Sequence, residues 1–112
     1  MTAKPPIAVL GAGLMGHGIA YLFAAAGHEV RVLDPLPAAR EALPTRLNDI
    51  RAFLRGDPAL LNRVTAFADL GAAVADAAVV IEAAPEKLEL KQSLFAELDL
   101  LAPASAILAS NT

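Results

Sequence analysis

Residues 7–27 read IAVLGAGLMGHGIAYLFAAAG. The first four are a continuous apolar run bounded by glycine, the pattern of a strand buried on both faces. Gly11, Gly13 and Gly16 then give G-x-G-x-x-G, with Gly18 as a fourth glycine. Glycine costs conformational entropy wherever it is ordered, so such a cluster needs a physical reason. From Leu14 to Ala26 the chain is apolar and alanine-rich, with good helix propensity. Gly27 stands where a C-terminal capping glycine belongs. Strand, glycine turn, helix is therefore the unit that opens the chain.

The pattern repeats outward from that unit. The segment 29–34, EVRVLD, alternates and is valine-rich, which predicts a second strand; Pro35 and Pro37 stop it. Apolar residues at helical spacing predict a helix over 38–55, which Pro44 is expected to kink or divide. A turn follows at 55–58, then a short helical turn and a weak strand candidate over 63–67. Asp69 can cap a short helix over 70–75. Residues 77–84, AAVVIEAA, form the clearest strand; Pro85 suits a first helical position, and 86–101 reads as an amphipathic helix. The segment 105–109, SAILA, is expected as a fifth strand. Strands that alternate with helices imply an α/β parallel sheet covered on both faces. Right-handed crossovers then favour a doubly wound, Rossmann-type order 3-2-1-4-5.

Composition bounds the rest. The 112 residues suffice for one domain, and 56% hydrophobic content with a mean hydropathy of +0.53 suits a well-buried core. No apolar run approaches the roughly 20 residues of a membrane span, and no signal-peptide pattern opens the chain. The expectation is a cytoplasmic protein without membrane or nucleic-acid partners. A net charge of −3 opposes phosphate-backbone binding, which needs clustered Lys and Arg. With no cysteine, disulfides and thiolate metal sites are excluded, and no metal site is expected.

Three glycines alone are a weak signal; their context strengthens it. They follow a strand, open a helix, and precede by eighteen residues an acidic residue, Asp34, at the end of the next strand. Gly11 permits the tight turn, Gly13 lets backbone approach a pyrophosphate, and Gly16 allows helix to pack closely on strand. Free N–H groups near Leu14 and Met15 would face the phosphates, aided by the helix dipole. Asp34 would accept hydrogen bonds from the adenosine ribose and repel a 2′-phosphate, favouring NAD over NADP. Gly11, Ala12, Gly13, Leu14, Met15, Gly16 and Asp34 are thus candidate cofactor residues. Met15 also suits a core or loop-covering place, Gly18 is expected to allow close helix–sheet packing, and His17 and His28 are expected to serve packing or solvation. Glu82, inside an otherwise apolar strand, would need a partner.

Three stretches together carry a resemblance: residues 9–34, VLGAGLMGHGIAYLFAAAGHEVRVLD; residues 75–99, ADAAVVIEAAPEKLELKQSLFAELD; and residues 106–112, AILASNT. They closely resemble the NAD-binding domain of L-3-hydroxyacyl-CoA dehydrogenases, a superfamily that includes L-gulonate 3-dehydrogenase and carnitine dehydrogenase. The resemblance covers nearly the whole chain and is weakest over 35–62. It implies that Glu86 and Lys91 also contact NAD, and that Ser110 and Asn111 begin the stretch beside the nicotinamide and substrate pocket. It implies a sheet cut short before the later strands, a helical domain further on that forms a homodimer in the full-length protein, and a catalytic histidine beyond this chain. His17 and His28 do not match that histidine, so the 112 residues should bind NAD and not catalyse. The reaction implied is hydride transfer between NAD and a 3-hydroxyacyl-CoA or related 3-hydroxy acid. The segment 35–62 holds Arg40, Arg46, Arg51 and Arg55 but no lysine, whereas acyl-CoA members carry a lysine there; both substrate classes stay open. A non-catalytic NAD-binding module is the alternative. Strand 5 as a bare sheet edge, with Ile107 and Leu108 nearby, is expected to make the chain self-associate.

Overall fold

Short, mainly apolar runs give four-residue strands; Gly11 stops the first and Asp34 the second. In the computed structural model, which describes residues 4–83 and 88–110 and no side chains at Leu14 or at 88–91, the strands are β1 (Ile7–Leu10), β2 (Val30–Leu33), β3 (Val64–Phe67), β4 (Val79–Glu82) and β5 (Ile107–Ser110). All pair in parallel in the order β3-β2-β1-β4-β5, as the alternation of strands and helices implies. β1, at the centre, is buried along its whole length.

Helices cover both faces. α1 (Leu14–Ala25) and α2 (Pro37–Leu54) pack on one side, where Tyr21, Leu43 and Leu47 join Val9, Val30 and Val32 in a core. α3 (Leu70–Val74) and α4 (Leu88–Leu101) cover the other, where Val74 and Leu98 meet Leu10 and Val80. Asp69 caps α3 as its position predicts, its Oδ2 accepting from Ala72 N at 2.9 Å. The weak strand candidate at 63–67 is a full partner of β2. Its entry is a 3-10 turn over Pro58–Arg63, started by Asp57, whose side chain accepts from Ala59 N at 2.9 Å.

Pro44 does not divide its helix: α2 is one element of 18 residues. A mid-helix proline removes a backbone bond and costs about 3 kcal/mol. Burial of Leu43 and Leu47 on either side of Pro44 holds the two halves on one face and offsets that cost. Pro85, expected to start the last helix, lies outside the described residues. Among those residues no helix is long and apolar enough to cross a membrane.

Candidate cofactor site at the carboxyl edge of the sheet

Strand register builds the site. Phe67, Leu33, Leu10, Glu82 and Ser110 lie side by side across all five strands, each the last or nearly last residue of its strand. The loops that leave β1, β2 and β3 open on this edge. Between β1 and β4 the chain reverses its direction of winding, and ligands of such sheets bind in the crevice at that point.

The glycine loop leaves β1 through Gly11, whose φ of +109° is a conformation that suits glycine, and Gly11 N donates to Leu33 O at 2.7 Å. Gly16 is required for space: a Cβ there would stand 1.7 Å from the Gly11 carbonyl oxygen. That contact is the close helix–strand packing expected of it. Gly13 is the opposite case, since a Cβ there would meet nothing within 4 Å. The open space at Gly13 lies at the N-terminus of α1. Among the described residues no side chain caps the helix there, and no acidic residue occupies the first turn. Its first N–H groups are therefore left for an outside acceptor.

The far end of α1 is fully answered. Gly27, at φ +102°, closes it with paired bonds from Gly27 N to Ala24 O and from His28 N to Phe23 O. Lys4 Nζ donates to Ala26 O and Arg63 Nη1 donates to Ala24 O. Two cations offset the negative end of the helix dipole, while the positive end faces the crevice bare.

Asp34 leaves β2 and turns back onto the glycine loop. Its Oδ2 accepts from Ala12 N and its Oδ1 from Leu36 N, both at 3.0 Å. The carboxylate thus ties the two loops together. Two arginines of α2 reach the same place: Arg40 Nη1 donates to Asp34 O at 2.7 Å, and Arg46 Nη1 to Ala12 O at 3.2 Å. Beside Asp34 opens a cleft of about 480 Å³ with mainly apolar walls, including Leu36, Ala68, Leu70 and Leu94. That size falls in the range of small-molecule sites.

The structure brings Gly11, Ala12, Gly13, Gly16 and Asp34 together, with the backbone of Leu14 at the helix start. Met15 is 57% exposed in the first turn, so a core role is excluded. Ser110 lies two strands from the loop, on the row described above, and its Oγ donates to Glu82 Oε1 at 2.8 Å. Glu82 is wholly buried, and Ser110 is one answer to the partner its position demands. Glu86 and Asn111 lie outside the described residues, as does the side chain of Lys91. Gly18 does not pack closely: a Cβ there would meet nothing within 4 Å. His17 Nδ1 sits 2.7 Å from Gly13 O, and His28 Nδ1 lies 2.7 Å from Pro5 O with its ring edge-on to Phe23. Among the described residues no three His, Asp or Glu side chains gather as a metal site.

Sequence reading misses the bonds of Arg40 to Asp34 and of Arg46 to Ala12. The two arginines stand six apart on a helix, off the spacing of one face, and nothing local distinguishes them from solvated arginines. It also misses the cleft, whose walls come from four separate segments.

A family model described as "3-hydroxyacyl-CoA dehydrogenase, NAD binding domain" matches residues 6–112. The chain is 38% identical over 110 residues to an L-carnitine dehydrogenase of Streptomyces griseus, covering 95% of this chain and 33% of that protein. It is 39% identical over 114 residues to the 3-hydroxyadipyl-CoA dehydrogenase of Escherichia coli, covering 95% and 24%. A lambda-crystallin homolog of Bos taurus is 36% identical, with 99% and 37% covered. Among solved structures, a diketoreductase superposes with a TM-score of 0.91 at 36% identity, covering 100% of this chain and 43% of that one. The 3-hydroxybutyryl-CoA dehydrogenase of Escherichia coli superposes at 0.85 with 34% identity, covering 100% and 25%. The chain thus spans about a third or less of the length of most of these curated relatives.

Proposed function

The chain belongs to the NAD-binding domain family of the 3-hydroxyacyl-CoA dehydrogenases, and from that premise we propose that it is the cofactor-holding part of an oxidoreductase acting on a 3-hydroxyacyl-CoA or a related 3-hydroxy acid. The observation that carries this reading is the bare start of α1 beside the open face of Gly13, joined to Asp34 through Ala12 N.

The residues fit NAD. The first N–H groups of α1 would hold the pyrophosphate, and Gly13 leaves it room to approach. Asp34 keeps acceptor capacity after its two backbone bonds, since each carboxylate oxygen has two lone pairs; that capacity would take ribose hydroxyls. The apolar cleft beside it would take the adenine and exclude water from one of its faces. The nicotinamide would then extend along the carboxyl edge toward β4 and β5, over Glu82 and Ser110, with Glu86, Lys91 and Asn111 as further contacts by family resemblance. When bound, NAD supplies the hydride acceptor. What this chain contributes is binding and orientation, and the catalytic base would come from elsewhere in the protein.

Relatives named for L-carnitine and for 3-hydroxyadipyl-CoA are equally similar, at 38% and 39% identity, so the proposal names the 3-hydroxy class and no single substrate. Fluorescence titration of this chain with NADH tests the site: saturable binding is expected, and its absence would remove the reading. Turnover by the product of the complete reading frame, assayed on 3-hydroxyacyl-CoAs and on polar 3-hydroxy acids, decides the substrate class. A dimer of that product is expected in sedimentation. A frame that yields NADH binding and no turnover on either class would favour the non-catalytic module.

A further inference from the structure

We propose that Arg40 and Arg46 form a latent 2′-phosphate site around Asp34, so that the preference for NAD over NADP rests on the single charge of the Asp34 carboxylate. The inference rests on the reading of this edge as a dinucleotide site.

Sequence alone shows only Pro35 and Leu36 after Asp34, with no cation at hand. The fold supplies two. Arg40 donates to the main-chain oxygen of Asp34 itself, and Arg46 to the main-chain oxygen of Ala12, whose N–H is bound by the Asp34 carboxylate. Two guanidinium groups are therefore bonded to the main chain of the two loops that the Asp34 carboxylate joins. The remaining described arginines are engaged elsewhere: Arg31 pairs with Glu29 and Asp76, Arg63 holds the end of α1, and Arg51 bonds Asn48. Arg55 closes α2 at the opposite end from Asp34. Among the described residues neither Arg40 nor Arg46 forms an ion pair with a carboxylate.

A guanidinium offers five N–H donors in a planar fork that suits phosphate oxygens, and a carbonyl oxygen engages only part of that capacity. Arg40 is half-buried and Arg46 exposed at the rim, so both can meet a group placed on the ribose. A 2′-phosphate would meet their attraction together with repulsion from Asp34. At such short range repulsion from a group in contact prevails. With the carboxylate gone, the two cations remain, already anchored to the loops that define the site.

The test is titration of the chain and its variants with NADH and with NADPH, each variant checked by thermal melting. Wild type is expected to prefer NADH. Asp34→Ser should lose NADH affinity and gain about tenfold in NADPH affinity, the scale of charge-assisted bonds to a phosphate. Adding Arg40→Ala and Arg46→Ala should abolish that gain, and Arg40→Lys with Arg46→Lys should restore part of it. Should Asp34→Ser fail to fold, Arg40→Ala/Arg46→Ala in the wild-type background reads the same effect, as a fall of about fivefold in NADPH affinity relative to NADH. Equal loss for the two cofactors, or a gain in Asp34→Ser that survives removal of both arginines, overturns the inference and leaves the NAD site standing. A wild type that binds neither cofactor overturns both.

Discussion

Gly13, Gly16 and Gly18 lie within six residues and respond differently to one added carbon. At Gly16 the carbon would collide with a backbone oxygen at 1.7 Å, so the strand–helix junction has to open. Gly16→Ala is expected to cost about 3 kcal/mol or more in denaturant unfolding, the upper range for overpacking. At Gly13 the space is open and φ is −68°, an ordinary value, so Gly13→Ala should leave stability within about 0.5 kcal/mol. Its methyl would instead occupy the approach to the phosphates, and NADH affinity should fall about tenfold or more, a penalty near 1.4 kcal/mol. Gly18→Ala fills open space inside a helix and should stabilise by about 0.5–1 kcal/mol, without effect on NADH. Unfolding curves and NADH titrations on the three variants separate a steric glycine, a ligand glycine and a dispensable one. Asp34 combines two roles in one carboxylate. Asp34→Ala should weaken NADH binding and narrow the preference over NADPH, as measured by calorimetry. It should also cost about 1–2 kcal/mol of stability, because Ala12 N and Leu36 N lose their acceptor.

At the scale of elements, the strands and α1 were legible because their residues state the outcome locally. Four apolar residues before a glycine can be buried only on both faces, and Gly27 closes α1 by the backbone geometry its position requires. α2 was less legible. Pro44 speaks for a break, and only the burial of Leu43 and Leu47 against α1 and the sheet keeps the helix whole. The same helix ends with Arg55 in the left-handed region at φ +55°, where a side chain is strained. Arg55→Gly should therefore raise stability by about 0.5–1 kcal/mol in chemical denaturation; no change or a loss would show that the Arg55 side chain contributes to the cap.

Across the whole molecule, one row of strand ends gathers residues that are far apart in sequence: Gly11, Asp34, Glu82 and Ser110 share an edge because the sheet is parallel and its order reverses beside β1. The outer side of that sheet has a cost. β5 is an edge strand, with Ile107 64% exposed and Leu100 of α4 86% exposed. Sedimentation of the 112-residue chain at about tens of micromolar is expected to show association, since unpaired strand edges with apolar side chains recruit partners. Ile107→Lys should reduce it, and a clean monomer of the parent chain would contradict the expectation.

Sequence alone determined the parallel order, the glycine turn and the carboxylate that follows the second strand, because each depends on residue type at short spacing: buried runs, a turn that admits glycine, an acidic residue at a strand end. Tertiary structure alone decided what surrounds them. Arg40 and Arg46 meet Asp34 and Ala12 only because α2 packs back along the sheet. The cleft exists only between segments 22 or more residues apart, and Glu82 finds Ser110 only across two paired strands. Contacts between distant residues depend on how layers pack, which no local pattern encodes.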